Sequence, residues 1–345
     1  MYYLASGSRK NVKPMHSSTP LLSVVIPTHK RPQFLPCAID SALQAAPDGD
    51  VEVIVVPNGK DESWKTITQA YAHEPRVHWQ PIEEAHANAA RNHGLTISSG
   101  KYVRFLDDDD YLFPNARTQC LELDQANFDA SQGGIDLVDA KGEIFRQWHS
   151  AVSTDYVASM LRPSRITHNC AMLYRRDKIT NQRWDISRGV GQDTAWALSL
   201  ARDFDLSLHR CDLQTGAWVQ HDSERISTKI TGHQGHNEIP VEILLNTVAG
   251  LESRGALTEE RRLAAAEGIW QCIHNAFPLA PIYWTSIIHQ VHDIAPNSKP
   301  ADHLYSKFPF NQLNPIVLEW LMTPHRFIRI RRRERAIKSG LAQQW

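Results

Sequence analysis

Four consecutive aspartates, Asp107 to Asp110, follow directly on the apolar run Tyr102 to Leu106, with no basic residue among them. Few folds accept that junction. Two unit charges about 4 Å apart repel by roughly 4 kcal/mol at an effective dielectric near 20, so carboxylates this dense oppose folding unless a cation joins them. Oxygen ligands of this kind suit the hard ions Mg²⁺ and Mn²⁺. These typically take one or two protein carboxylates and leave their other positions to water and substrate phosphates. The junction points to a divalent cation and, through it, to a diphosphate ligand.

The run ends a longer rhythm. Ser23 to Pro27, Val51 to Val56, Val77 to Gln80 and Tyr102 to Leu106 are short apolar segments, separated by helical patterns near Gln33 to Ala45, Glu62 to His73 and Glu84 to Ile97. Apolar strands alternating with helices predict a parallel sheet covered on both faces. Ligands of such sheets bind beyond the carboxyl ends of the strands, where the four aspartates emerge. If the segment stays extended, Asp107 and Asp109 project to one side and Asp108 to the other.

From about Gly133 to Ile230 the pattern is less regular, with strand-like Gly134 to Val138, Glu143 to Trp148 and Ala171 to Tyr174, then a helix near Asp193 to Arg202. Beyond Gly232 it becomes helical: Val241 to Leu251, Thr258 to Asn275, Ile282 to His292 and a last segment from Pro324. Thr258 before Glu259 and Glu260 is an N-cap with acids at the positive end of the helix dipole. These shifts divide the chain into a tail (1–20), an α/β domain (21–232) and a helical region (233–345). His233-Gln-Gly-His236 has zinc-compatible spacing but no partner pair, and is expected to be a loop.

The 345 residues carry a formal net charge of -1, which gives no general attraction to nucleic acid. Five scattered cysteines without CxxC spacing suit reduced thiols and a cytoplasmic setting. The first twenty residues lack the apolar core of a secretory signal, and no stretch reaches the roughly 18 apolar residues of a membrane span.

Ser23-Val-Val-Ile-Pro-Thr28, Ala90-Arg-Asn92 before Gly94, and Phe105-Leu-Asp-Asp-Asp-Asp110, in this order and spacing, resemble the family 2 glycosyltransferases. The likeness covers roughly Leu21 to Ser227. It implies the GT-A fold, a Rossmann-like mixed sheet flanked by helices. It also implies transfer of a sugar from a nucleotide donor, a UDP-sugar by expectation, to an acceptor hydroxyl with inversion and a divalent metal, in surface-glycan or glycoconjugate synthesis. By the same resemblance the aspartates correspond to the family's DxD element. Asp109 is assigned first to Mn²⁺ or Mg²⁺, with Asp107 facing the metal and the sugar or ribose of the donor, and Asp110 as the alternative ligand. Asp108 is a turn residue or a donor contact. Pro27, Thr28, Arg31, Asn58, Arg91, Asn92, Asp107 and Asp108 are expected around the donor. An arginine on a diphosphate makes a bidentate contact that lysine cannot reproduce.

Gly191-Gln-Asp-Thr-Ala-Trp196 resembles the family's Glu-Asp element, with Gln192 in place of the glutamate. Asp193 is thus the expected base for the acceptor hydroxyl, and its alternative role is a helix N-cap. His221 stands where the family tends to have a histidine after its last strand, and is the third expected metal or diphosphate contact, with Arg225 nearby. His168, Asn169, Trp184 and Asp185 are acceptor-side candidates by position. Pro57-Asn-Gly-Lys60 replaces the frequent Asp-Asp-Gly-Ser, and His86 stands where glycine is common. These departures keep two alternatives open: a catalytically silent nucleotide-sugar-binding module, and a sugar nucleotidyltransferase, although Pro27 to Pro32 lacks the glycine-rich loop of the latter.

The C-terminal run mixes Arg326, Arg329, Arg331, Arg332, Arg333 and Arg335 with Phe327, Ile328 and Ile330. Such a basic amphipathic pattern fits a peripheral contact with an anionic membrane face, where lipid-linked acceptors occur, or equally a solvated helix end packed on the helical region.

Overall fold

A computed structural model describes residues 19–150, 153–221 and 232–338. The described residues build nine strands: β1 (Leu22–Thr28), β2 (Val51–Pro57), β3 (Val77–Trp79), β4 (Tyr102–Phe105), β5 (Tyr111–Leu112), β6 (Ala130–Asp139), β7 (Ile144–Trp148), β8 (Met172–Arg175) and β9 (Leu208–Gln220). They form one sheet in the order β3-β2-β1-β4-β8-β6-β9-β5, with β7 paired to β6. The first four strands in the chain are mutually parallel, as their helix-separated apolar runs predict. At β4 the sheet changes character, because β8 joins it antiparallel and β6 pairs antiparallel with β8. The long strand β9 then runs parallel to β6, and its end also holds β5.

The helices of the α/β part are α1 (Leu35–Ala42), α2 (Lys65–Thr68), α3 (Ala87–Ile97), α4 (Asn115–Ala126), α5 (Tyr156–Leu161), α6 (Arg176–Ile179) and α7 (Gln192–Asp203). Each long helix turns an apolar stripe to the sheet. In α1 it is Leu35, Ala38, Ile39 and Ala42, the spacing of one helical face. Packing of α3 on β1 is close enough to require glycine at Gly94, where an added Cβ would lie 2.3 Å from Val25 Cγ1.

Four further helices follow: α8 (Gly232–Ser253), α9 (Glu259–Ala276), α10 (Pro281–Ile294) and α11 (Pro315–Lys338). Thr258 caps α9 as expected, accepting a hydrogen bond from the Arg261 amide. Two expectations are corrected. His233 to His236 belong to the first turns of α8, not to a loop, and the last helix starts nine residues before Pro324. An internal proline is tolerated when the carbonyl it orphans can meet water. For Pro324 that carbonyl belongs to Trp320, on the exposed side of α11.

The apolar core is continuous from β1 to α10. Arg261 of α9 bridges Asp155 and Asp205, and Arg254 also meets Asp205, which joins the helical region to the sheet. Among the described residues no helix is long and apolar enough to cross a membrane.

Candidate functional site at the carboxyl ends of the central strands

Thr28 and Arg31 after β1, Asn58 after β2, Asp107 to Asp110 after β4 and His221 after β9 converge at one edge of the sheet, with Arg91 from α3, Asn169 before β8 and Asp193 from α7. The expected alternation of the aspartates is not found. The chain leaves the extended conformation after β4, and Asp108 and Asp109 form a turn closed by Asp110 N–H to the Asp107 carbonyl at 3.2 Å. Each side chain therefore meets its own partners.

Asp107 turns toward the helices. Its Oδ1 accepts from Arg91 Nη2 at 2.6 Å and from Asn169 Nδ2 at 3.2 Å. Asn169 Nδ2 also lies 3.3 Å from Asp193 Oδ1, so one amide bridges two carboxylates. Asp107, Asp193 and His168 offer ligand atoms all within 4.8 Å of one another. Helix α7 is capped by Gly191 in the left-handed conformation at φ 64°, which places Asp193 inside the first turn rather than at the cap. Burial, and then the Asp107 charge, push its carboxyl up to about 7, while Arg91 and Asn169 act in the opposite direction.

Arg91 is almost fully buried. Besides Asp107 it donates to Asn88 Oδ1 at 2.7 Å and Gln192 Oε1 at 2.8 Å, and its guanidinium lies 4.6 Å over the Trp184 ring. Gln192 thus keeps a neutral acceptor on the arginine where the resemblance expected a glutamate. Trp184 stacks on Trp196 with centroids 4.7 Å apart, so this acceptor-side candidate is instead part of the floor beneath Arg91. Asn92 is also reassigned. Its amide donates to the Trp184 carbonyl at 2.9 Å and accepts from the Trp184 amide at 2.8 Å, fixing a loop rather than facing a donor. Asn88 secures the same loop through the Asp185 carbonyl at 2.7 Å.

Asp108 and Asp109 turn toward β1 and β9. Thr28 Oγ1 donates to Asp108 at 2.7 Å, and Arg31 Nη1 reaches Asp108 at 3.4 Å and Asp109 at 2.6 Å. Asp108 is buried and well engaged, more than a turn residue. Burial and then the Asp109 charge raise its carboxyl, opposed by Arg31 and Thr28. Asp109 also meets His221 Nε2 at 2.9 Å, and the imidazole stacks on Phe34 with centroids 4.6 Å apart. Asp110 serves the fold: its Oδ1 accepts from the Val219 amide at 2.9 Å and its Oδ2 lies 3.4 Å from His168 Nε2. Asn58 donates its amide to the Thr28 carbonyl at 2.9 Å, tying the ends of β1 and β2 together. Pro27 is the penultimate residue of β1. Arg225 lies outside the described residues.

Among the described residues five carboxylates here face two arginines, and two of the five are pushed upward in pKa. That excess of negative charge fits a divalent cation. Asp109 and His221 bring an oxygen and a nitrogen donor to one point, with Arg31 on the same Asp109 oxygen at 2.6 Å, as Arg91 is on Asp107. Asn88, which joins Arg91 to the Asp185 carbonyl, and Asn169, which bridges Asp107 and Asp193, give no sign of these roles in the sequence, because a neutral amide takes its role from the groups the fold sets beside it.

Residues 23–181 match the sequence family described as Glycosyl transferase family 2. The uncharacterised glycosyltransferase YibD of Escherichia coli K12 is 29% identical over 195 residues, covering 53% of this chain and 56% of that protein. A chondroitin synthase of Escherichia coli is 25% identical over 194 residues, covering 55% of this chain and 26% of that enzyme. An uncharacterised glycosyltransferase of Rickettsia bellii is 31% identical over 161 residues, which are 45% of this chain and 23% of that protein. These matches span from about a quarter to just over half of the relatives' own length. Among solved structures, S. aureus TarS 1–349 in complex with UDP-GlcNAc superposes with a TM-score of 0.61 at 14% identity, covering 94% of this chain and 93% of that one. At that identity the likeness speaks for the fold, and it supports the GT-A architecture expected from the motifs. The β1-to-α6 segment is thus a glycosyl transferase family 2 domain, by the match over residues 23–181.

Proposed function

We propose that this protein transfers a sugar, with inversion, from a nucleotide-diphosphate sugar to an acceptor hydroxyl, using Asp193 as the base. The observation that carries the reading is the Asp107–Asn169–Asp193 bridge beside Arg91, at the strand ends where such sheets bind ligands. A carboxylate pushed up to about 7 is far better matched to accepting a hydroxyl proton near neutral pH than one at its ordinary value. In this reading the acceptor oxygen attacks the anomeric carbon as Asp193 takes its proton, and the nucleoside diphosphate departs from the opposite face. Asn169 and Arg91 hold Asp107 and Asp193 in register. Arg31, partly exposed beside Asp109, would meet the diphosphate, while the buried Arg91 stays with Asp107.

Asp109 and His221 would hold Mn²⁺ or Mg²⁺. The ion supplies Lewis-acid neutralisation of charge developing on the leaving diphosphate. The donor is read as a UDP-sugar because the TarS structures of the same fold were solved with UDP-GlcNAc and UDP. A chondroitin synthase among the relatives suits a role in polysaccharide synthesis.

The test is turnover of a panel of nucleotide sugars with Mn²⁺, with and without oligosaccharide acceptors, for the protein and for Asp193→Asn. The expected result is nucleotide release from one donor class, and a loss of about 10²-fold or more in the variant with donor affinity kept. Donor binding without any nucleotide release would instead indicate a silent binding module. Pyrophosphate-dependent formation of nucleoside triphosphate would indicate a nucleotidyltransferase.

A further inference from the structure

Helix α11 buries one face and leaves the opposite one uncovered. Leu318, Glu319, Arg326 and Ile330 point inward. Arg326 is thereby removed from the surface expected of it: it pairs with the fully buried Glu319 at 2.6 Å, and Glu319 also accepts from His274 at 2.7 Å and Tyr305 at 2.6 Å. At about 100° per residue the outward stripe runs through Val317, Trp320, Leu321, Pro324, Ile328, Arg331, Arg332 and Arg335. Its first three turns are apolar and its last two are basic. Leu321 is 66% exposed, Ile328 53%, Val317 48% and Trp320 44%. Trp320 Nε1 donates to Thr285 of α10 at 3.2 Å, one turn after Ile282, which is 82% exposed. Arg331, Arg332 and Arg335 are exposed, with Arg331 paired to Glu334 at 2.9 Å and lying 5.1 Å over the Phe327 ring. The side chain of Arg333 lies outside the described residues.

We infer that this face of α11 docks on an anionic lipid bilayer, with Trp320, Leu321 and Ile328 entering the acyl boundary and Arg331, Arg332 and Arg335 meeting lipid phosphates. Charge selects this occupant over a second copy of the chain. The outward stripe carries no carboxylate from Val317 to Arg335, so pairing it with itself in parallel sets arginine against arginine, and in antiparallel sets arginine against the apolar turns. A phosphate-rich surface over a hydrocarbon layer complements both halves. The inference is independent of the glycosyl-transfer reading, since none of these residues belongs to the strand-end site.

Flotation of the full chain with phosphatidylcholine vesicles, and with vesicles containing phosphatidylglycerol, tests it. Light scattering of the free protein is measured alongside. The chain is expected to float with the anionic vesicles and to be released by high salt. The variant R331A/R332A/R335A is expected to lose about fivefold per arginine, roughly a hundredfold in all. Leu321→Asp with Ile328→Asp removes binding while leaving the thermal midpoint unchanged, which separates lost docking from lost folding. Equal partitioning to neutral and anionic vesicles, or undiminished binding by the arginine variant, overturns the inference. So does a wild-type dimer that these apolar substitutions split.

Discussion

Replacing Asp193 by asparagine should stabilise the protein at alkaline pH while removing transfer. Carboxylate oxygens of Asp107 and Asp193 lie within 4.8 Å of each other, and at an effective dielectric of about 20 such a pair repels by roughly 3.5 kcal/mol. Arg91, 2.6 Å from Asp107, offsets part of this. Burial, and then the Asp107 charge, still leave Asp193 up at about 7 against an ordinary 3.8. Three pKa units correspond to about 4 kcal/mol as a ceiling, and partial access of solvent to Asp193 reduces the working value to about 2 kcal/mol. The folded state holds this proton more tightly than the unfolded chain does. The associated stability is therefore fully present below about pH 4 and lost as pH rises through about 7. Asparagine carries no such proton. In a calorimetric pH series with chelator present, Asp193→Asn should melt a few degrees above wild type at pH 8, with the gap closing near pH 4. A variant less stable than wild type at pH 8, or a gap that does not change with pH, would refute the charge argument for this site.

Asp109→Ala should abolish the Mn²⁺-dependent part of donor binding in titration calorimetry, because it removes the oxygen donor that meets His221 at 2.9 Å. Arg91→Lys keeps the charge but cannot reach Asp107, Asn88 and Gln192 together; a fall in kcat of about tenfold or more is expected in steady-state assays. Gly94→Ala should lower stability by about 1–3 kcal/mol in urea unfolding, since the new methyl would sit 2.3 Å from Val25 Cγ1. Chelation of divalent metal should lower the melting midpoint only by the mass-action contribution of a bound ligand, and global unfolding in chelator by circular dichroism would contradict this.

The parallel half of the sheet was legible because its strands are largely buried on both faces, so β1 and β2 read as near-continuous apolar runs, broken near their starts by the hydrogen-bonded Ser23 and Glu52. The long strand β9 was not recognised along its length. Its Leu208–Gln220 sequence mixes buried and exposed positions irregularly, since it serves β6 on one edge and β5 at its end. The site's charged members stood out because carboxylates and arginines advertise chemistry. Their pairing did not, for it depends on a turn at Asp108 and Asp109 that four identical residues cannot specify locally. Asn92 was assigned to the donor because its motif neighbours Arg91, yet on α3 the two side chains diverge: one holds Asp107 and the other a loop. Likewise Arg326 looked solvated within an arginine-rich run, whereas helical spacing turns it inward to Glu319.

The four aspartates seemed to demand a cation before the chain could fold, and the structure relocates that demand. Asp107 is held by Arg91 and Asn169, Asp108 by Thr28 and Arg31, Asp109 by Arg31 and His221, and Asp110 by the Val219 amide and His168. Each has polar partners from a different element, which is why the turn can exist within the protein's own chemistry. Among the described residues the partners are fewer in charge than the acids they serve, and burial with neighbouring like charge raises the carboxyls of Asp108 and Asp193. A stability function alone would have favoured fewer carboxylates, since an unbalanced buried charge costs free energy without adding packing. The imbalance is what a site must carry if it is to attract a divalent cation and its diphosphate, and perturbed carboxyls at a strand end mark this place as the candidate site.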